Sequence, residues 1–150
     1  MKGDVNGVVR HKSMSRVPAR IQVSNPPSTP VLVYDGSCSF CVRQVEHWKQ
    51  RLGDTVAFLP WRATGLKDRF PEIPESCFER ALQLIDTDGR VYPGAHGALK
   101  ALSIGGHSSW LLRLYEGTRA GSIAIDWAYR LIATHRWAWS QRPGRTSREA

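Results

Sequence analysis

Residues 30–59 read as strand, helix and strand in immediate succession, and that block constrains the fold more than any other feature. Pro30-Val31-Leu32-Val33-Tyr34 is a short apolar, β-branched run, the pattern of a strand buried on both faces. Asp35-Gly36-Ser37 breaks it with turn residues, and Ser37 is a suitable helix N-cap. Cys41, Val42, Val45, Trp48 and Leu52 then recur at three- and four-residue steps, one apolar stripe of a helix that Gly53 is placed to stop. Thr55-Val56-Ala57-Phe58-Leu59 supplies a second strand, ended by Pro60. Two strands joined through a helix are expected to lie parallel.

Downstream, Ala63 to Phe70 suggests a short helix before a loop marked by Pro71 and Pro74. Ala81-Leu82-Gln83-Leu84-Ile85 and Arg90-Val91-Tyr92, separated by Asp86-Thr87-Asp88-Gly89, carry a hairpin signal. Ala95, Ala98, Leu99 and Leu102 form another helical stripe, stopped by Gly105-Gly106. Trp110 to Tyr115 and Ser122 to Trp137 read as two further helices. The expected order is β-α-β-α-β-β-α with extra C-terminal helices, an α/β arrangement with the order of the thioredoxin fold.

The chain of 150 residues has a net charge of +8, which raises the question of nucleic acid. The charge is unevenly placed. Residues 1–29 carry five Lys and Arg against one Asp, and residues 142–150 three Arg against one Glu, leaving only +2 for residues 30–141. Basic ends on a near-neutral domain are weak evidence for a specific nucleic-acid surface, so none is expected. Residues 1–29 and 142–150 are expected to be disordered basic tails flanking one domain at 30–141. The first of them has no apolar run longer than Val8-Val9, short of the 7–15 apolar residues a secretory signal needs. The longest stretch without an ionised side chain, Ile21 to Tyr34, is 14 residues, too short for a transmembrane helix. Cytoplasmic residence is the default expectation.

Three cysteines do not make a secreted disulfide framework. Two of them, in Cys38-Ser39-Phe40-Cys41, sit where the first strand passes into the first helix. Residues three apart share a helix face, so both sulfurs come within bonding reach. Unpaired amides and the dipole at a helix start favour an anion, and CxxC thiols there have pKa values of roughly 3.5–7.5 against about 8.5 for a free thiol. Cys38 is therefore expected to be the nucleophile and Cys41, on the stripe with Val45 and Trp48 and so desolvated, the resolving thiol.

A lone CxxC also occurs in metal sites. Structural zinc takes four ligands, and here only Cys77 and five scattered histidines are available. No metal or cofactor is expected, although a zinc-stabilised domain stays an alternative, as does a non-catalytic binding module on the same fold. Cys77 matches no motif and reads as a semi-buried small side chain. Asp35, three residues before Cys38, either holds the turn or exchanges a proton with Cys41. Trp48, Trp110, Trp127, Trp137 and Trp139 read as core or partly buried residues. Trp61 and Arg62, just after the second strand, are weaker candidates for substrate contact. The exchange partner, a protein or a small thiol or disulfide, is not specified by these residues, nor is the oligomeric state.

Asp35-Gly36-Ser37-Cys38-Ser39-Phe40-Cys41, directly after an apolar strand, resembles the signature of the DCC family of thiol-disulfide oxidoreductases, named for its Asp, Cys and Cys. The hairpin ending at Gly94, the helix opening at Ala95 to Ala98, and Tyr129-Arg130-Leu131-Ile132 with Arg136 resemble its later segments. The resemblance covers about residues 31–140. It implies a thioredoxin-like fold with Asp35, Cys38 and Cys41 as the functional set. Two departures from thioredoxin itself stand out: Ser39-Phe40 between the cysteines, and no proline just before the third strand, the nearest being Pro71 and Pro74.

Overall fold

The computed structural model describes residues 21–140, with side chains as far as residue 135. β1 (Val31–Tyr34) is one of the sheet's two inner strands. It pairs parallel with β2 (Ala57–Pro60), Val31 opposite Ala57 and Tyr34 opposite Pro60. On its other side it pairs antiparallel with β3 (Gln83–Ile85), which pairs antiparallel with β4 (Val91–Pro93). The order is β2-β1-β3-β4. A strand covered on both faces has no polar side to show, which is why Val31, Leu32 and Val33 are all apolar and buried.

Alternation along β1 sends Leu32 to one face, and Val31 and Val33 to the other. Leu32 packs with Leu84, Val56, Val45, Leu52 and Ala101, beneath α1 (Ser39–Leu52) and α4 (Gly94–Ile104). Val31 and Val33 pack with Ile85, Trp61, Leu66, Phe70 and Phe78, under α2 (Leu66–Arg69) and α3 (Glu75–Arg80). After α4, α5 (Ser109–Gly117) packs on it, and α6 (Arg119–Ser140) crosses both α5 and α1. The result is a mixed α/β, thioredoxin-like fold with two helices added at its C-terminal side.

Several boundaries differ from expectation. The fold begins before Pro30: the Val23 amide donates to Gly89 O (2.8 Å), the Val91 amide donates to Ile21 O (3.1 Å), and Val23 is buried. Ile21 and Val23 alternate with Gln22 and Ser24, a strand period too short to stand out beside Pro26 and Pro27. Residues 1–20 and 141–150 lie outside the described residues. β2 starts at Ala57 because Gly53–Thr55 forms a 3₁₀ turn, closed by Thr55 Oγ1 donating to Leu52 O (2.6 Å). α3 lies where a loop was expected; one apolar contact, Phe78, anchors it, so it leaves no periodic stripe. Its end is tied to β3 by buried Gln83, whose Nε2 donates to Cys77 O (2.9 Å) and Ala81 O (3.2 Å).

The tryptophans divide. Trp48 is half-buried, but Trp110 and Trp127 are 67% and 64% exposed, against the expectation of burial. They lie on α5 and α6, whose inward faces are taken by other residues such as Leu112 and Ile125. Trp137 and Trp139 fall beyond the described side chains. No helix among the described residues is long and apolar enough to cross a membrane.

Candidate functional site

At the end of β1 the chain turns into α1 through four residues. Asp35 Oδ1 accepts from the Ser37 amide (3.0 Å) and the Ser37 hydroxyl (2.6 Å), and the Cys38 amide donates to Asp35 O (3.3 Å). This is a carboxylate-closed turn of the kind Asp forms two residues ahead. Gly36 is required by space, since a Cβ there would lie 2.8 Å from Pro60 Cβ at the end of β2. The turn delivers Cys38, not Ser37, to the N-cap of α1. Ser37 is used up by Asp35, and Cys38 has extended backbone angles (φ −90°, ψ 109°). Its Sγ accepts the amide hydrogen of Cys41 (3.3 Å), one of the donors left over at a helix start.

That cap geometry sets the exposure of the two thiols, in the reverse order of the expectation. Cys38 folds back over the first turn and is only 6% exposed, whereas Cys41 is half-buried. The stripe of Cys41, Val45 and Trp48 borders a cavity, while Val45 and Trp48 also pack with the Leu32 cluster. The cavity, of about 330 Å³, lies between α1, α4 and α6. Phe40, Cys41 and Trp48 line it from α1, Leu99 from α4, and Ile125, Tyr129 and Ile132 from α6, with Asp35 at the edge of the turn. Among the described residues that line it, Asp35 is the sole carboxylate and none is Lys, Arg or His. Ala81 and Leu82, the residues before β3, close another side.

Asp35, Cys38 and Cys41 are thus brought together. The others are not. Trp61 is buried in the core cluster with Val33 and Phe70, and the Arg62 guanidinium lies 4.6 Å from its ring centroid; neither lines the cavity. Trp61 spends its ring on that cluster, and Arg62 is exposed beside it. Cys77 packs against the same cluster as a free thiol. Among the described residues no three His, Cys, Asp or Glu side chains gather as metal ligands, so the zinc alternative has no donor set there. The cavity walls were missed by sequence reasoning. Their one signal was the α1 stripe, which says that a face is covered but not whether it is filled.

A family model described as DCC1-like thiol-disulfide oxidoreductase matches residues 32–142. The chain belongs to the DCC1-like thiol-disulfide oxidoreductase family. No match is found among curated proteins or among solved structures. The matched span of this DCC1-like chain runs from β1 through α6, and so holds Asp35, both motif cysteines and every cavity wall. The C-terminal helices belong to the DCC1-like domain, and α6 in particular completes the site.

Proposed function

We propose that the protein is a thiol-disulfide oxidoreductase working through Cys38 and Cys41, with Cys38 as the attacking sulfur. One observation carries this assignment: Cys38 Sγ accepts the Cys41 amide at the start of α1, the contact by which a helix terminus holds an anion. Cys38 attacks one sulfur of a disulfide R–S–S–R′, breaking the S–S bond and releasing R′S⁻. Cys41 then attacks Cys38 Sγ, releasing RS⁻ and leaving a Cys38–Cys41 disulfide. Two electrons pass to the substrate, and the two cysteine protons end on the two released thiols. A dithiol such as dithiothreitol restores the reduced protein, and the same steps reversed oxidise a substrate dithiol.

Asp35 has two roles in this reading. Its contacts to Ser37 hold the turn that presents Cys38, and its place on the wall shared with Cys41 suits it to take the proton of the resolving thiol. The test is disulfide reduction driven by dithiothreitol. Cys38→Ser should lower the rate by on the order of a hundredfold or more. Cys41→Ser should accumulate a mixed disulfide between Cys38 and the substrate. A Cys38→Ser protein with the wild-type rate would overturn the assignment, as would a mixed disulfide trapped on Cys41 when Cys38 is replaced and on nothing when Cys41 is.

A further inference from the structure

We infer that the cavity beside Cys41 selects the substrate: it takes an uncharged, apolar group attached to the reacting sulfur of a small disulfide or thiol, and disfavours anionic ones such as oxidised glutathione. The inference rests on the exchange chemistry proposed above and specifies its substrate class. Its volume of about 330 Å³ is in the range of small-molecule sites. Phe40, Trp48 and Tyr129 offer aromatic surface, and Leu99, Ile125 and Ile132 aliphatic surface.

Charge argues in the same direction. Oxidised glutathione carries several carboxylates, and among the described lining residues no cation is present to receive one. Gln44, Tyr34 and Tyr129 could at most hydrogen-bond a carboxylate. Burying one without a cationic partner is costly, and Asp35 in the wall adds repulsion between like charges. A neutral aromatic or branched aliphatic group meets neither penalty. An extended peptide is poorly served as well. Most of the wall is helical, its amides and carbonyls spent within α1, α4 and α6, so a peptide backbone finds little there to pair with.

Cys38 does not itself line the cavity; Cys41, whose amide donates to Cys38 Sγ (3.3 Å), joins the cavity to the reaction. When Cys38 attacks R–S–S–R′, the sulfur that stays bound sits next to Cys41, and R occupies the recess that Cys41 borders. Attack by Cys41 on Cys38 Sγ then frees R–S⁻, which takes a proton and leaves the cavity. Holding R in the recess keeps the mixed disulfide beside the resolving thiol.

The experiment is single-turnover oxidation of the pre-reduced full chain by four disulfides: 4,4′-dithiodipyridine, the dianionic 5,5′-dithiobis(2-nitrobenzoate), oxidised glutathione, and a peptide disulfide with phenylalanine beside each cysteine. Each rate is divided by that of free dithiothreitol with the same disulfide, which removes intrinsic reactivity. The neutral aromatic disulfide should lead the two anionic ones by roughly tenfold or more. Ala98→Phe, which fills the cavity from α4, should lower the neutral rate by about tenfold and leave the glutathione rate within about twofold. Ala128→Phe, at an exposed position on the cavity mouth, gives the same readout if Ala98→Phe fails to fold. Equal normalised rates for neutral and anionic disulfides would overturn the inference while leaving the exchange chemistry standing. So would a cavity variant that changes nothing, or a peptide disulfide that outruns the small neutral one. If no disulfide oxidises Cys38 and Cys41, the exchange reading itself fails, and this inference with it.

Discussion

Cys38 and Cys77 are both thiols in the same domain, yet only one has a contact suited to an anionic sulfur. Cys38 receives an amide at a helix start, while Cys77 lies against an apolar cluster. Cys77→Ser should therefore keep most of the disulfide-reductase rate, whereas Cys38→Ser should not; equal losses in steady-state assays would place the second redox sulfur on α3. Tyr115 offers a test outside the site. Burial, and then the hydrogen bond its hydroxyl donates to Asp126 (3.0 Å), push its phenol up to about 12 from 10.0. The folded state thus holds this proton more tightly than the unfolded state. The stabilisation is fully present below pH 10 and is lost as pH rises towards about 12. In denaturant titrations the stability of wild type relative to Tyr115→Phe should fall across that interval; a difference that stays flat would refute the contact. At this scale Asp35, Cys38 and Cys41 were legible, because spacing and turn chemistry are local. The exposure order of the two thiols was not. It depends on whether the α1 stripe meets a filled core or a cavity, and α6, far along the chain, decides that.

Among the elements, α4 shows how closely the helices seat on the sheet. A Cβ on Gly97 would lie 2.4 Å from Tyr92 O and 3.2 Å from both Leu82 Cδ1 and the Leu84 amide nitrogen. In an open helix Gly→Ala is worth roughly 1 kcal/mol of stabilisation. Here Gly97→Ala should instead destabilise by about 1–3 kcal/mol, because the obstruction is backbone and cannot turn aside. Denaturant midpoints would check the sign, and a stabilised variant would mean that α4 does not sit this close. At the other edge, Val23→Ala should cost about 1–3 kcal/mol in the same measurement, the value of a buried valine. No loss would return residues 21–29 to the tail. The strands and long helices were readable because each repeats its period over several residues. α3 and the Ile21–Val23 segment were not. α3 shows a single buried anchor, Phe78, whose core partners such as Val31 and Val33 are remote in sequence. Ile21–Val23 shows one alternation, its partners at Gly89–Val91 being equally remote.

For the molecule as a whole, the division of labour follows the two sheet faces. The face of Val31 and Val33 is filled by Trp61, Phe70 and their neighbours and serves stability. The face of Leu32 carries α1 and α4, and α6 spans them to leave the cavity on which Cys41 opens. Apart from α3, the β-α-β-α-β-β-α order was legible because it follows from successive local periods, whereas the cavity arises from the crossing of three helices and has no local signature. In the proposed reaction Cys38 and Cys41 form one reversible dithiol. Its most direct test is to oxidise the reduced full chain with a disulfide, block remaining thiols by alkylation, and map the digest by mass spectrometry before and after dithiothreitol. A Cys38–Cys41 linkage should form first and reopen on reduction, with Cys77 alkylated throughout. Motif cysteines that stay alkylated, or a first linkage that includes Cys77, would contradict it.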